Sequence, residues 1–291
     1  MKGVEAKKIL VTGATGFVGR YVVAELLSRG CEVRAVARDI QVARTMPWFD
    51  RVEFIAADIH APDLDVSELT EQVAVLMHLA WPGLPNYKAL FHFERTLFAD
   101  YAFLKKVIQT GVGQVMVTGT CFEYGQQSGA LAENLLPQPN TPYALAKNSL
   151  RLFLEALQLE YDFSLQWVRL FYLYGVGQHP NSLFASLQRA IDEGLPEFNM
   201  SGGEQLRDYL PVELAAHYLA RIALQPDVAG IINCCNGKPI SVRALVEQQL
   251  KARGSALRLN LGHFPYAAHE PMAFWGVNDR LQSLLGGTYA A

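Results

Sequence analysis

Cysteine is scarce in this chain: 291 residues carry four, Cys31, Cys121 and the adjacent Cys234 and Cys235. None has Cys-x-x-Cys spacing, and four thiols are too few for a disulfide framework at this length. No metal site is expected. Long apolar runs are missing too. No stretch of roughly 18 apolar residues could cross a bilayer, and the opening MKGVEAKK lacks the apolar segment of a secretory signal. The expectation is a cytoplasmic protein without a membrane partner. Positive charge is not in excess, since 25 Lys and Arg stand against 28 Asp and Glu. The net charge of −3 offers no footprint for nucleic acid. Internal repeats and low-complexity linkers are also absent.

What is present suits a large buried core: 51% of residues are apolar and 18% charged. Short β-rich runs, KILVT (8–12), CEVRAVA (31–37), VEFIAA (52–57), VAVLMHL (73–79), QVMVT (114–118) and LQWVRL (165–170), alternate with helix-length segments such as 17–28 and 91–109. Nearly continuous apolar strands separated by helices predict an α/β fold, a doubly wound parallel sheet covered on both faces. Beyond residue 175 the regularity fades, and Pro180, Pro196, Pro211, Pro226, Pro239, Pro265 and Pro271 punctuate shorter elements. The division expected is a sheet domain over 1–170, to which a segment near 205–235 returns, and a smaller part over 171–291 leaning on the sheet's carboxyl edge.

VTGATGFVG (11–19) ends the first strand and opens the first helix. In such a turn Gly13 permits the tight bend, Gly16 lets the backbone approach a pyrophosphate, and Gly19 allows close helix–strand packing. The helix N-terminus adds unpaired N–H groups and a positive dipole end. A Rossmann dinucleotide site follows, with Thr15, Phe17 and Val18 inside the turn as further cofactor contacts. At the end of the second strand, where an acid would bind ribose hydroxyls, the residues are Ala37 and Arg38. A guanidinium there can take a 2′-phosphate. NADP(H) is favoured on that ground and NAD(H) stays open, as does an Arg38 simply paired with Asp39.

NTPYALAK (140–147) has the marks of a helix start, with Thr141 as N-cap and Pro142 at the first helical position. Tyr143 and Lys147, four apart, share a helix face. By itself that spacing also describes an ordinary first turn.

Taken in order, the motifs resemble the extended short-chain dehydrogenases/reductases, the family of nucleotide-sugar epimerases, dehydratases and 4-ketoreductases. The resemblance runs from about residue 7 to 286. It rests on TGATGFVG (12–19), Asp58-Ile59, HLA (78–80), TGTCFEYG (118–125), YALAK (143–147), RLFYLYG (169–175), QLRDYLPV (205–212) and NCCNGKPIS (233–241). It implies a Rossmann domain with a small C-terminal substrate-binding part. It also implies that Tyr143 is the acid or base, that Lys147 holds the cofactor ribose, and that Thr120 binds the substrate oxygen. A phenol of pKa about 10 needs a nearby cation to work at neutrality, which Lys147 and an oxidised nicotinamide supply. Asp58, Ile59, Leu79 and Ala80 are the remaining cofactor contacts implied.

On the substrate side the resemblance implies Trp81, Cys121, Phe122, Tyr172, His179 and Arg207. Trp81 is read either as a pocket wall or as core. Arg207 is read as a diphosphate clamp, with a pair to Asp208 as the plainer reading. The family's 4,6-dehydratases carry Asp-Glu directly after the threonine, whereas this chain has Cys121 and Phe122, so dehydration loses its machinery. Glu123, one position further, is expected to face away. Thr96 and Tyr172 stand where the family has asparagines. The leading expectation is a nucleotide-sugar reductase or dehydrogenase acting at C4 of a (4-keto-)6-deoxyhexose. A 4-epimerase and a non-catalytic NADP(H)-binding regulator are the alternatives, and a homodimer follows the family habit.

Overall fold

A computed structural model describes residues 7–266 and 270–286. The first half contains β1 (Lys8–Thr12), α1 (Gly19–Ser28), β2 (Glu32–Ala37), α2 (Ile40–Arg44), β3 (Glu53–Ala56), α3 (Ser67–Thr70) and β4 (Val75–His78). A π-helical turn (His92–Thr96) leads into α4 (Leu97–Gln109), followed by β5 (Gln114–Thr120), β6 (Gly129–Leu131), α5 (Pro142–Leu157) and β7 (Ser164–Leu170). Next come β8 (Tyr172–Tyr174), α6 (Leu183–Asp192), β9 (Glu197–Asn199), β10 (Leu206–Arg207), β11 (Tyr209–Pro211), α7 (Val212–Ala223) and β12 (Gly230–Cys234). The chain continues through β13 (Ile240–Ser241), α8 (Val242–Ala252), β14 (Arg258–Asn260), β15 (Phe274–Gly276) and α9 (Asp279–Leu284).

Seven strands form one parallel sheet in the order β12-β7-β5-β4-β1-β2-β3. This is the doubly wound Rossmann arrangement. Its switch point lies between β1 and β4, where successive crossovers leave toward opposite faces and a crevice opens at the carboxyl ends. The strand periodicity of two sorts the core. Ile9 and Val11 face one apolar cluster with Val22 and Leu26 of α1 and Leu219 of α7. Leu10 faces the other, with Leu104 of α4 and Leu150 of α5. The charge inside β2 has a cause: buried Arg34 donates to the carbonyls of Glu68, Leu69 and Glu71 at the end of α3, and pairs with Glu53 at 2.8 Å.

Two features depart from the plain strand-and-helix reading. β5 extends two residues beyond 118, to Thr120, and the 91–109 segment begins as the π turn before becoming α4. β12 supplies the far edge strand from the C-terminal third, paired in parallel with β7. The remaining strands make four two-stranded ladders, β8–β11, β9–β14, β10–β13 and β6–β15, beside the carboxyl edge. There Leu187, Phe198, Met200 and Val246 close a separate small core.

Thr120 ends β5 in a capping box: its hydroxyl accepts from Phe122 N, while the Glu123 carboxylate accepts from Thr120 N at 2.9 Å. Glu123 also takes Trp167 Nε1 at 3.0 Å and Arg169 Nε at 2.8 Å, and both charged side chains are fully buried. The carboxylate therefore points into the core and not into the crevice. Loss of one partner from such a pair strands a buried charge, which costs about 3–5 kcal/mol.

Candidate functional site at the sheet switch point

The glycine turn is shaped by contacts that leave no room for side chains. Gly13 has φ of +69°, and a Cβ there would sit 2.8 Å from Ala80 N. A Cβ on Gly19 would collide with the Gly13 carbonyl oxygen. The turn thus brings the backbone flush against the end of β4 and aims the start of α1 into the crevice. A cavity of about 720 Å³ opens there. Every residue expected to touch a cofactor apart from Tyr143 and Lys147 lines it: Gly13, Thr15, Gly16, Phe17, Val18, Gly19, Arg38, Asp58, Ile59, Leu79 and Ala80. The cradle, the helix N-terminus and the cavity size fit a dinucleotide.

At the far end of β2, Asp39 is not a partner for Arg38 in the way a surface pair would be. Its carboxylate caps α2, accepting from Gln41 N at 2.8 Å and Val42 N at 3.3 Å. Arg38 is exposed at the cavity rim beside Ala37.

Tyr143 and Lys147 come from the first turn of α5, where Thr141 Oγ1 accepts from Ala144 N at 3.2 Å. Both side chains are buried, and neither lines the cavity. The Thr120 hydroxyl, at the end of β5, acts on the Tyr143 phenol and favours its ionised form. Burial and then the neighbouring Tyr87 push that phenol well above its usual range, with Thr120 pulling the other way. Burial pushes the Lys147 ammonium down to about 8, against the opposing charges of Asp100 and Glu123. Lys147 Nζ donates to Thr118 O at 2.9 Å and lies 3.9 Å from the centroid of the Trp81 ring.

Of the substrate-side residues, Trp81, Tyr172 and His179 line the cavity, while Thr120, Cys121, Phe122 and Arg207 do not. Trp81 meets Tyr143 edge-on at 5.8 Å, and Tyr87 packs on Tyr143 at 5.5 Å and on Phe122 at 5.0 Å. Cys121 is buried and its thiol is pushed far up by desolvation, so it is not a ready thiolate. Arg207 is buried with each nitrogen engaged: Nε and Nη2 on Glu270, Nη1 on the carbonyls of Leu206 and Met272. Asp208 does not pair with it; its carboxylate accepts from the N–H groups of Asn236, Gly237 and Gly276. Tyr172 O–H donates to Glu270 at 2.6 Å, so the residue standing where the family has asparagine joins the same cluster.

Several functional groups escaped the sequence reading. Tyr87 and His60 line the cavity, and His92 bonds Trp81. His60 follows Asp58-Ile59 directly, a signal that could have found it. Its Nε2 meets Asp100 at 2.6 Å, and His78 Nε2 lies 3.5 Å from the same oxygen. Asp100 carried no local mark, and His78, although part of the HLA run, gave no sign of this partner, because only the sheet brings α4 and β4 together.

A model of the NAD dependent epimerase/dehydratase family matches residues 9–235. The chain is 31% identical over 272 residues to a dTDP-6-deoxy-L-talose 4-dehydrogenase (NAD(+)) of Aggregatibacter actinomycetemcomitans, covering 92% of this chain and 99% of that protein. It is 25% identical over 304 residues to a UDP-glucose 4-epimerase of Halalkalibacterium halodurans, covering 96% and 89%. The structure of MoeE5 in complex with UDP-glucose and NAD superposes with a TM-score of 0.83 at 27% identity, covering 98% and 94%.

The buried Asp100 sets a pH window. The hydrogen bond that His60 donates to Asp100 raises the pKa of His60 against opposing desolvation. Burial would raise Asp100, but His78, His60 and Lys147 outweigh it and hold the carboxyl down at about 2. The His60 contribution to stability is complete below the unfolded value of 6.5 and is lost as pH rises through its raised folded value. That of Asp100 is present above 3.8 and is lost as pH falls toward 2. In Asp100→Asn the His60 titration, followed by NMR, is expected to drop below its parental midpoint. An unmoved midpoint would refute the pairing.

Proposed function

The chain belongs to the NAD dependent epimerase/dehydratase family, and on that premise we propose that it is an NAD(P)-dependent oxidoreductase acting at C4 of a nucleotide-linked 6-deoxyhexose. One observation carries the reading: a buried phenol, Tyr143, under the influence of the Thr120 hydroxyl and packed against Trp81 and Tyr87 of the cavity wall. When bound, a nicotinamide supplies or accepts the hydride. The residues of the chain handle the proton and the geometry. Thr120 orients the sugar oxygen, and Tyr143 gives the proton that an alkoxide at C4 needs. A phenol with a raised pKa is fully protonated at neutrality, which is the form reduction requires. Lys147 is the cation that lowers the cost of the phenolate left behind.

Arg38 supports a preference for NADP(H), since no carboxylate from the β2 end turns toward the cavity and Asp39 is spent as a cap. The name of the talose dehydrogenase carries NAD(+) and the MoeE5 complex holds NAD, so NAD(H) is the alternative that Arg38 must be tested against. Arg207 serves as the diphosphate contact by exchanging its Glu270 partner for phosphate oxygens. The division at residue 170 stays part of this proposal, with 171–291 chiefly on the substrate side. A second copy is supported by the exposed Phe98 of α4 and the exposed Leu145, Leu152 and Phe153 of α5, and sedimentation equilibrium decides it. All four cysteines carry free thiols, which suits a reducing cytoplasm.

The 4-epimerase alternative rests on relatives such as the UDP-glucose 4-epimerase. A nucleotide-linked 4-hydroxy sugar given with oxidised cofactor separates the two, because a dehydrogenase leaves reduced cofactor behind and an epimerase returns the hydride; the hydride step itself is read by single-turnover reduction of the 4-keto sugar. In that assay Tyr143→Phe should fold, bind cofactor and lose about 10²–10⁴-fold in rate. A parental rate would return Tyr143 and Lys147 to an ordinary helix turn. Arg38→Ala should cut NADPH affinity about ten- to hundred-fold and leave NADH affinity nearly intact, since a charge-assisted phosphate contact contributes about 1.5–3 kcal/mol. Equal losses for both cofactors in calorimetry would remove the phosphate role. Arg207→Ala should weaken nucleotide-sugar binding with cofactor affinity kept, and the reverse pattern would end that assignment.

A further inference from the structure

The catalytic pair and the cofactor cavity lie side by side, with the Trp81 indole between the cavity and Lys147 and with Trp81 and Tyr87 between the cavity and Tyr143. Trp81 lines the cavity on one side. On the other, its ring lies 3.9 Å from the Lys147 ammonium and meets the Tyr143 ring edge-on. A cation on a ring face is attracted to it, and Lys147 has the carbonyl of Thr118 as its other partner. A ribose arriving from the cavity meets the indole before it meets the ammonium, and a hydroxyl cannot hydrogen-bond through a ring.

Beyond this packing, the indole N–H is held by one directed bond. Trp81 Nε1 lies 3.0 Å from His92 Nδ1, and His92 Nε2 lies 2.9 Å from Asn86 O. An indole N–H only donates and a carbonyl only accepts. His92 is therefore neutral, with its proton on Nε2 and a bare Nδ1 facing the indole. Burial, which holds its pKa below the usual value, agrees with that state. The two sides of the indole are held differently. Leu79 and Ala80 are pinned against the glycine turn, whereas residues 81–90 form no helix or strand, and Gly83 to Asn86 are exposed.

We propose that Trp81 is a further functional residue of this site, a positioning residue latched by His92 over Lys147 and released when the cofactor ribose takes its place. This rests on the cofactor reading above. The consequence is an obligatory order. Cofactor binding and the unmasking of Lys147 and Tyr143 are one event, so the sugar reacts only after the cofactor is seated.

The test reads association directly. NADPH or NADH, whichever binds the parent more tightly, is mixed with protein in a stopped-flow instrument, and its own emission is followed. Trp81→Phe keeps a ring over the ammonium but has no N–H for His92, and His92→Leu removes the acceptor. Both should associate about three- to ten-fold faster, the range one hydrogen bond supports, with dissociation little changed. His92→Gln, whose amide oxygen can accept from the indole, should fall back toward the parental rate. The change in protein tryptophan emission on binding should shrink sharply in Trp81→Phe and persist in His92→Leu. A merely structural role would slow or weaken binding in both variants and would not accelerate it. Parental or slower association in Trp81→Phe overturns the latch, even if His92→Leu fails to fold. A parent that binds neither cofactor overturns the latch and the proposed function together.

Discussion

An ammonium group has been taken out of water at Lys147, and the surroundings of the site follow from that constraint. An unpaired charge at such depth is costly, yet no carboxylate among the described residues forms an ion pair with it. The Thr118 carbonyl and the Trp81 ring touch it, while Asp100 and Glu123 act on it as charges. The balance leaves a lysine that titrates near 8, so its charge is present at neutrality but only loosely secured. Groups that approach it with lone pairs are correspondingly welcome.

The two carboxylates that act on it have other duties. Glu123 closes the turn after β5 through Thr120 N and neutralises Arg169. Asp100 sits between His60 and His78 beneath the cavity. Each is fully buried, each fixes a neighbouring element, and each contributes field at the lysine without occupying its coordination space. The ends of β4 and β5, α4 and α5 are thereby tied to a common electrostatic centre.

A similar economy marks the substrate side. Glu270 is shared by Arg207 and Tyr172, and the Arg207 guanidinium lies 4.6 Å from the Phe274 ring centroid. Tyr172 stands in place of the family's asparagine, and its phenol reaches a carboxylate that an amide on a shorter stem would not reach in the same way. The pocket wall there is aromatic, with Tyr209 packed against both Tyr172 and Phe184. A wall of that kind recognises the apolar faces of a sugar more than its hydroxyls.

The six runs read as strands all form strands of the central sheet, because a strand covered on both faces is written in consecutive residues. The glycine turn was equally legible as a motif: Gly19 is demanded by the Gly13 carbonyl within the same turn, although the Ala80 backbone that presses on Gly13 comes from the far end of β4. So was the α5 start, since capping by Thr141 and the four-residue spacing of Tyr143 and Lys147 are local. Ala37 and Arg38 could be placed at the cavity rim for the same reason, as the end of a strand is fixed by its pattern. Glu123 could be turned away from the crevice by strand geometry, but its Arg169 partner could not be foreseen. Tertiary structure alone decided the partners across the fold. Asp100 met His60 and His78, Arg207 met Glu270 across 63 residues of chain, and Trp81 met Lys147 and His92. Sequence periodicity specifies which face of an element is buried, while the identity of the side chain opposite depends on how separate elements cross, and that is set by the packing of the whole sheet.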